Sequence, residues 1–217
     1  ANTLAFSPRD GQLLLSGGED RLINLWNPLT GALVQNYTGH SGAVNSVAFN
    51  NDGTLFASGS DDDRVGVWSL ADGFIKFLIG HTDDVLSLDF SPTAASRLLS
   101  GSADNSVVLW DVLSTTGSTI RGFTQHNEAV NGVAYFPNGR EFISISEDTS
   151  ILMWDLTANT VLNSFNDHDA PVFAIAISGD GEMMFTGADD GVARLWDLKN
   201  SEQTIVFSGH QSSDVRL

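Results

Sequence analysis

The five tryptophans of this chain stand at Trp26, Trp68, Trp110, Trp154 and Trp196, separated by 42, 42, 44 and 42 residues. Its five histidines keep the same beat: His40, His81, His126, His168 and His210 are 41, 45, 42 and 42 apart. No other tryptophan or histidine occurs. A period of roughly 40–45 residues is the length of one small four-stranded unit, which cannot bury both faces alone and is stable only when stacked on copies of itself. The units run at about residues 1–37, 38–78, 79–123, 124–165 and 166–207. Residues 208–217 begin a further unit or close the first.

Within a unit the pattern is that of short strands. After the first four histidines come "AVNSVAF", "DVLSLDF", "AVNGVAYF" and "PVFAIAI", with apolar residues four, seven and nine positions past the histidine. A step of three followed by a step of two predicts a strand with a bulge near its start. "RDG", "NDG", "PNG" and "GDG" then mark hairpin turns, while the third unit has "SPTAAS" instead. A second strand follows, then a third that carries the tryptophan ("VVLW", "ILMW"), then a fourth ("FIKFLI", "VLNSF"). No segment has helical spacing with caps, so the expected class is all-β.

Charge narrows the partners. Ten basic residues against 27 acidic give a net charge of −17, which repels nucleic-acid phosphates and acidic membranes and favours basic proteins or peptides. No apolar run nears the roughly 18 residues of a membrane helix, and "ANTLAFSPRDG" lacks the regions of a secretory signal. With no cysteine, an intracellular location, cytoplasmic or nuclear, is expected. No cofactor is implied.

The repeated pairs carry a resemblance. "GH" stands at Gly39–His40, Gly80–His81 and Gly209–His210, and "WD" at Trp110–Asp111, Trp154–Asp155 and Trp196–Asp197, with looser versions in the other units. Taken in register along the whole chain, these pairs resemble the WD-repeat family. The resemblance implies a β-propeller of four-stranded antiparallel blades, five of them here. Most propellers of that family have seven blades, so this chain is expected to be part of a longer ring, 1–217 forming one propeller or a piece of one. The alternative is circular: His210 would serve the first unit, which has Ser16, Asp20 and Trp26 but no preceding histidine. An incomplete ring would expose an apolar face at each end, inviting self-association or a partner protein.

Four sets recur: His40–Ser58–Asp62–Trp68, His81–Ser100–Asp104–Trp110, His126–Ser144–Asp148–Trp154 and His168–Thr186–Asp190–Trp196. Ser, His and Asp are also the members of a hydrolytic triad. Repetition argues against that reading, because an active site is needed once and a brace in every unit. The resemblance implies a buried tetrad in which indole, hydroxyl, imidazole and carboxylate pass hydrogen bonds in series.

The resemblance also places partner contacts around one mouth of the central channel. These positions precede the tetrad aspartate (Glu19, Asp61, Ala103, Glu147, Asp189) or lie three and five residues past the histidine. The latter include Asp84, Asn45, Leu86, Asn131 and Phe173, with Asn2 their equivalent in the first unit. An acidic ring around two apolar side chains suits a basic peptide, with an Arg or Lys entering the channel and an apolar neighbour against Phe173. Acidic turns also serve solubility and turn geometry, and both readings stand at this point. "SDDDR" at Ser60–Arg64 lacks the ligand alternation of a calcium loop, and the glycine pairs lack the helix and lysine of a phosphate cradle, so no metal site is expected. The expected function is a non-catalytic protein-interaction scaffold. The alternatives are a propeller enzyme using mouth carboxylates such as Asp61 and Asp189, or the sensor region of a larger protein.

Overall fold

The computed structural model describes residues 1–8, 11–115 and 118–208. Twenty strands are present among the described residues, in five four-stranded antiparallel sheets that follow the chain. The first sheet is β1 (Thr3–Phe6), β2 (Leu14–Gly17), β3 (Ile23–Asn27) and β4 (Ala32–Tyr37). The second is β5 (Val44–Phe49), β6 (Leu55–Ser60), β7 (Arg64–Ser69) and β8 (Gly73–Ile79). The third is β9 (Val85–Phe90), β10 (Arg97–Ser102), β11 (Val107–Asp111) and β12 (Thr119–Phe123). The fourth is β13 (Val130–Tyr135), β14 (Glu141–Ser146), β15 (Ile151–Asp155) and β16 (Thr160–Phe165). The fifth is β17 (Val172–Ile177), β18 (Met183–Ala188), β19 (Val192–Asp197) and β20 (Glu202–Ser208). No helix long and apolar enough to cross a membrane occurs among the described residues.

The expected hairpin glycines take positive φ: 71° at Gly53, 67° at Gly139 and 75° at Gly181, each closing a turn with a backbone bond three residues back. The expected bulge is also present. In the last four sheets the first-to-second strand register skips one residue, Asn45, Leu86, Asn131 or Phe173. A second bulge lies at every tryptophan, where the third-to-fourth strand register skips Val34, Ile75, Ile120, Leu162 or Thr204. These residues stand on the outer edge.

Successive sheets stack face to face, the first strand of each against the first strand of the next, from β1 through β5, β9 and β13 to β17. A residue in the last two positions of the fourth strand forms the seal. Tyr37, Phe123 and Phe165 set their rings against Trp68, Trp154 and Trp196 of the following sheet, with centroids 5.7, 5.2 and 5.2 Å apart, and Leu78 packs in one cluster with Trp110. These four seal residues are buried; Phe207, at the same register in the fifth sheet, is 46% exposed. At the other end Leu4 and Phe6 are 64% and 61% exposed, whereas Leu88, Phe90, Val133 and Tyr135 at matching registers are buried. Tyr37 and Phe123 thus pack between sheets.

Polar groups stitch the seams as well. Thr3, Ser46 and Ser87, at one register of successive first strands, accept the backbone N–H of Val47, Leu88 and Val133 in the next sheet, each at 3.1 Å. At the rim Lys76 donates to Ser114 O at 2.6 Å and Arg121 to Leu156 O at 2.5 Å, again from one sheet to the next.

Candidate functional site

Each tetrad is built by three turns of chain. The hydroxyl sits on the second strand, the tryptophan on the third, the aspartate in the hairpin between them and the histidine in the connector ahead of the first strand. In the second sheet Trp68 Nε1–H donates to Ser58 Oγ at 2.8 Å, Ser58 Oγ lies 2.7 Å from His40 Nε2, and His40 Nδ1 lies 2.9 Å from Asp62 Oδ2. An ionised carboxylate only accepts, so Nδ1 carries the proton and Nε2 accepts from the hydroxyl. The third and fourth sheets repeat the chain through Trp110–Ser100–His81–Asp104 at 2.7, 2.6 and 2.8 Å and through Trp154–Ser144–His126–Asp148 at 2.8, 2.7 and 3.0 Å. In the fifth, Trp196–Thr186–His168–Asp190 spans 2.9, 2.8 and 2.8 Å.

Burial decides the charge states. Loss of water lowers the proton affinity of His40, His126 and His168 despite their aspartates, so these rings stay neutral. The same burial pushes Asp62 upward, but the Ser41 N–H and His40 outweigh it and hold the carboxyl below its usual range. Removing any one member strands buried partners at about 1–3 kcal/mol each. Close packing enforces the chemistry too: a side chain at Gly66 would meet Ser58 Oγ and Trp68 Nε1 at 2.7 Å.

Two additions escaped the sequence reading. Ser60, Ser102 and Ser146, two residues past the tetrad hydroxyl, are fully buried and accept the N–H of Asp62, Asp104 and Asp148. Their signal was the repeated Ser-x-Ser. Arg194, on β19, donates to Asp190 at 2.6 Å and abuts His168 Nδ1, giving the fifth tetrad a permanent cation that the others lack.

The mouth positions of the last four sheets come together in pairs, one pair per sheet. Asp61, Ala103, Glu147 and Asp189 donate their backbone N–H to the carbonyls of Ala43, Asp84, Ala129 and Pro171 at 2.9–3.0 Å. Asn45 Nδ2 donates to Asp61 Oδ1 at 2.6 Å and to Val85 O of the next sheet at 3.2 Å. Asn131 reaches Val172 O at 3.0 Å and Asn2 reaches Val44 O at 3.4 Å. Those amides therefore bridge seams, while Leu86 and Phe173 hold the same bulge with apolar side chains. Glu19, Asp61 and Glu147 are exposed; Asp84, Leu86, Phe173 and Asp189 are half-buried. The second and third sheets concentrate the charge. Asp63, Asp83 and Asp84 bring carboxyl oxygens within 4.8 Å of one another, and burial together with Asp61, Asp83 and Asp63 pushes the Asp84 carboxyl up. Because the cluster draws on two sheets, no single-loop pattern shows it. Of the nearby cations, Arg64 lies over the Phe77 ring at 5.4 Å.

The WD domain, G-beta repeat model matches residues 2–27, 31–69, 73–111, 117–155 and 159–197. Among curated proteins, the chain is 26% identical to Pre-mRNA-processing factor 17 of Saccharomyces cerevisiae, over 76% of this chain and 36% of that protein. It is 28% identical to nuclear distribution protein PAC1 of Komagataella phaffii, over 70% of this chain and 39% of that one. To the guanine nucleotide-binding protein subunit beta of Arabidopsis thaliana it is 30% identical, over 76% of this chain and 47% of the subunit. The chain thus spans about a third to a half of the length of these relatives. Five matched repeats, five four-stranded antiparallel sheets and the four buried tetrads agree: the chain belongs to the WD-repeat family.

Proposed function

We propose that this chain is a non-catalytic interaction scaffold, acting as one propeller or part of one, whose acidic channel mouth holds a basic peptide. The observation that carries this reading is the crowding of Asp61, Asp63, Asp83 and Asp84 at the seam of the second and third sheets, enough to push the Asp84 carboxyl up. Crowded carboxylates gain by taking a cation among them. Glu19, Glu147 and Asp189 extend the negative rim, and Leu86 and Phe173 supply apolar surface beside it. An arginine or lysine enters among the carboxylates while the residue next to it rests on Phe173.

The test is titration with an arginine-rich peptide at low and at physiological salt. Binding is expected to weaken as salt rises and to fall at least tenfold in the Asp61→Lys, Glu147→Lys double variant. Equal binding by that variant removes the proposal.

A further inference from the structure

We propose that the seam of the fourth and fifth sheets carries a second docking pocket, for a segment of a partner protein that presents one aromatic side chain beside a lysine or arginine. The pocket lies where β14 and β18 begin, whereas the acidic mouth lies where they end. It shares no residue with the mouth, so the two readings stand or fall separately.

One residue sets its floor apart. Just past the five first strands stand Ser7, Asn50, Ser91, Phe136 and Ser178, each donating its backbone N–H to a carbonyl at the start of the second strand at 2.9–3.0 Å. The four polar side chains also accept a backbone N–H of their own turn, from Leu13, Leu55, Ala94 and Met183 at 2.9–3.2 Å. A phenyl ring forms no such bond. Phe136 is instead buried in the seam, in one cluster with Trp196 and Leu198 of the fifth sheet.

Two other seams are closed at this level. Asn51 Nδ2 donates to Pro92 O at 3.0 Å between the second and third sheets, and between the third and fourth Thr93 fills the space that a side chain at Gly139 would need. Between the fourth and fifth, Gly181 comes up against Pro137, whose Cδ would lie 3.3 Å from an added Cβ. Beside that contact a cavity of about 290 Å3 stays open. Phe136, Met153 and Leu198 give it an apolar lining, and Glu141, Asp180, Glu182 and Lys199 give it charge. An apolar cavity of about 150 Å3 takes a benzene ring, so this one admits an aromatic side chain with part of its neighbour.

Charge selects that neighbour. Three carboxylates stand against one ammonium, and Lys199 is shared with Asp197, whose carboxyl Asn200 and then Lys199 hold below its usual range. Glu141 accepts from Asn138 Nδ2 at 2.8 Å and Asp180 from Ser178 Oγ at 2.5 Å, both neutral donors. Among the described residues neither of them, nor Glu182, forms an ion pair. A lysine or arginine entering beside the ring displaces no resident cation, while an acidic residue there is repelled. The aromatic side chain is the anchor and the cation sets its direction.

The experiment follows the 13C-labelled methyl signals of the chain's three methionines by NMR while N-acetyl-Phe-Lys-amide is added. Met153 lines the cavity and Met183 does not. A saturable shift of the Met153 signal is expected, with a midpoint on the order of millimolar, while Met183 stays in place. N-acetyl-Ala-Lys-amide lacks the ring and N-acetyl-Phe-Glu-amide reverses the charge; each should bind about tenfold more weakly or worse. The Glu141→Lys, Glu182→Lys double variant should lose about as much, its unmoved Met183 signal showing that the fifth sheet is intact. The Asp61→Lys, Glu147→Lys variant should respond as the parent chain does, which separates this pocket from the mouth. The proposal is overturned if Met153 does not respond, if either control peptide shifts it as strongly, if the Glu141/Glu182 variant binds equally, or if the mouth variant abolishes the response.

Discussion

Asp89 sits in a lane of alanines. At its register on the first strands stand Ala5, Ala48, Ala134 and Ala176, all small enough to let the next sheet close down. Asp89 Oδ2 instead accepts the Tyr135 N–H across the seam at 2.7 Å. Burial outweighs that bond and pushes the carboxyl from 3.8 up to about 7. The Tyr135 hydroxyl is raised by burial and by the Asp89 charge, and Arg97, whose charge acts on that hydroxyl, pairs with Asp111 at 3.5 Å. An acid whose folded value lies above its unfolded one stabilises the fold fully below the unfolded value and loses that contribution as pH climbs through the folded one. Stability is therefore expected to fall between pH 4 and 7 through this residue, by about 1.4 kcal/mol per pH unit at most. Asp89→Asn should remove that slope relative to the parent chain in denaturant titrations across the range. His40, His126 and His168, with Asp62, Asp104, Asp148 and Asp190, act in the opposite direction, losing stability as pH falls, and cancel in the comparison. Two parallel curves would show that Asp89 does not titrate there. Asp89 was visible in "DVLSLDF", but its oddity appears only once strand register lines it up with four alanines.

At the level of the strand and its turn, some signals were plain and others silent. Glycines at the first hairpin announced their positive φ, as Gly53 and Gly139 show. The second hairpin makes the same demand just after the tetrad aspartate, yet meets it with Arg21, Asp63, Asn105 and Thr149, and with glycine only at Gly191. Thr149 is the misfit, because a β-branched side chain at φ 71° is strained. Thr149→Asn should raise stability by about 0.5–1 kcal/mol, read as a higher denaturant midpoint with unchanged slope; no gain would place the strain elsewhere. The bulge at each tryptophan was also silent, since its skipped residues Val34, Ile75, Ile120 and Leu162 look like ordinary strand positions although each is at least 41% exposed. The first bulge was legible from apolar spacing, but not that Asn45 and Asn131 would turn their amides to the neighbouring sheet.

Across the whole molecule, the period together with strand spacing inside it dictated the architecture, because a four-stranded unit of that length buries its faces only by stacking on copies of itself. What the period concealed was the double duty of the tryptophans, which brace their own sheet through the indole N–H and seat the previous sheet on the ring. Contacts between sheets are those of nearest neighbours, so stability should be distributed unevenly. The second, third and fourth sheets are covered on both sides; the first leaves Leu4 and Phe6 open and the fifth leaves Phe207 open. Amide hydrogen exchange should be slowest in β10, β11, β14 and β15 and fastest in the first and fifth sheets. Uniform protection across all five would instead mean a single cooperative unit. Closure through His210 lies outside the described residues.

The histidine of each tetrad precedes its own sheet, and this sets how the protein can be cut and rejoined. The pieces matched as repeats end at the third strand, at residues 69, 111, 155 and 197, and so divide every sheet before its last strand. A segment running from His40 to Ile79 carries a full brace and all four strands. Grafts or circular permutants joined just ahead of an imidazole keep the brace and all four strands on one piece of chain, whereas joints at the sequence repeat keep each brace whole but part its sheet from the fourth strand.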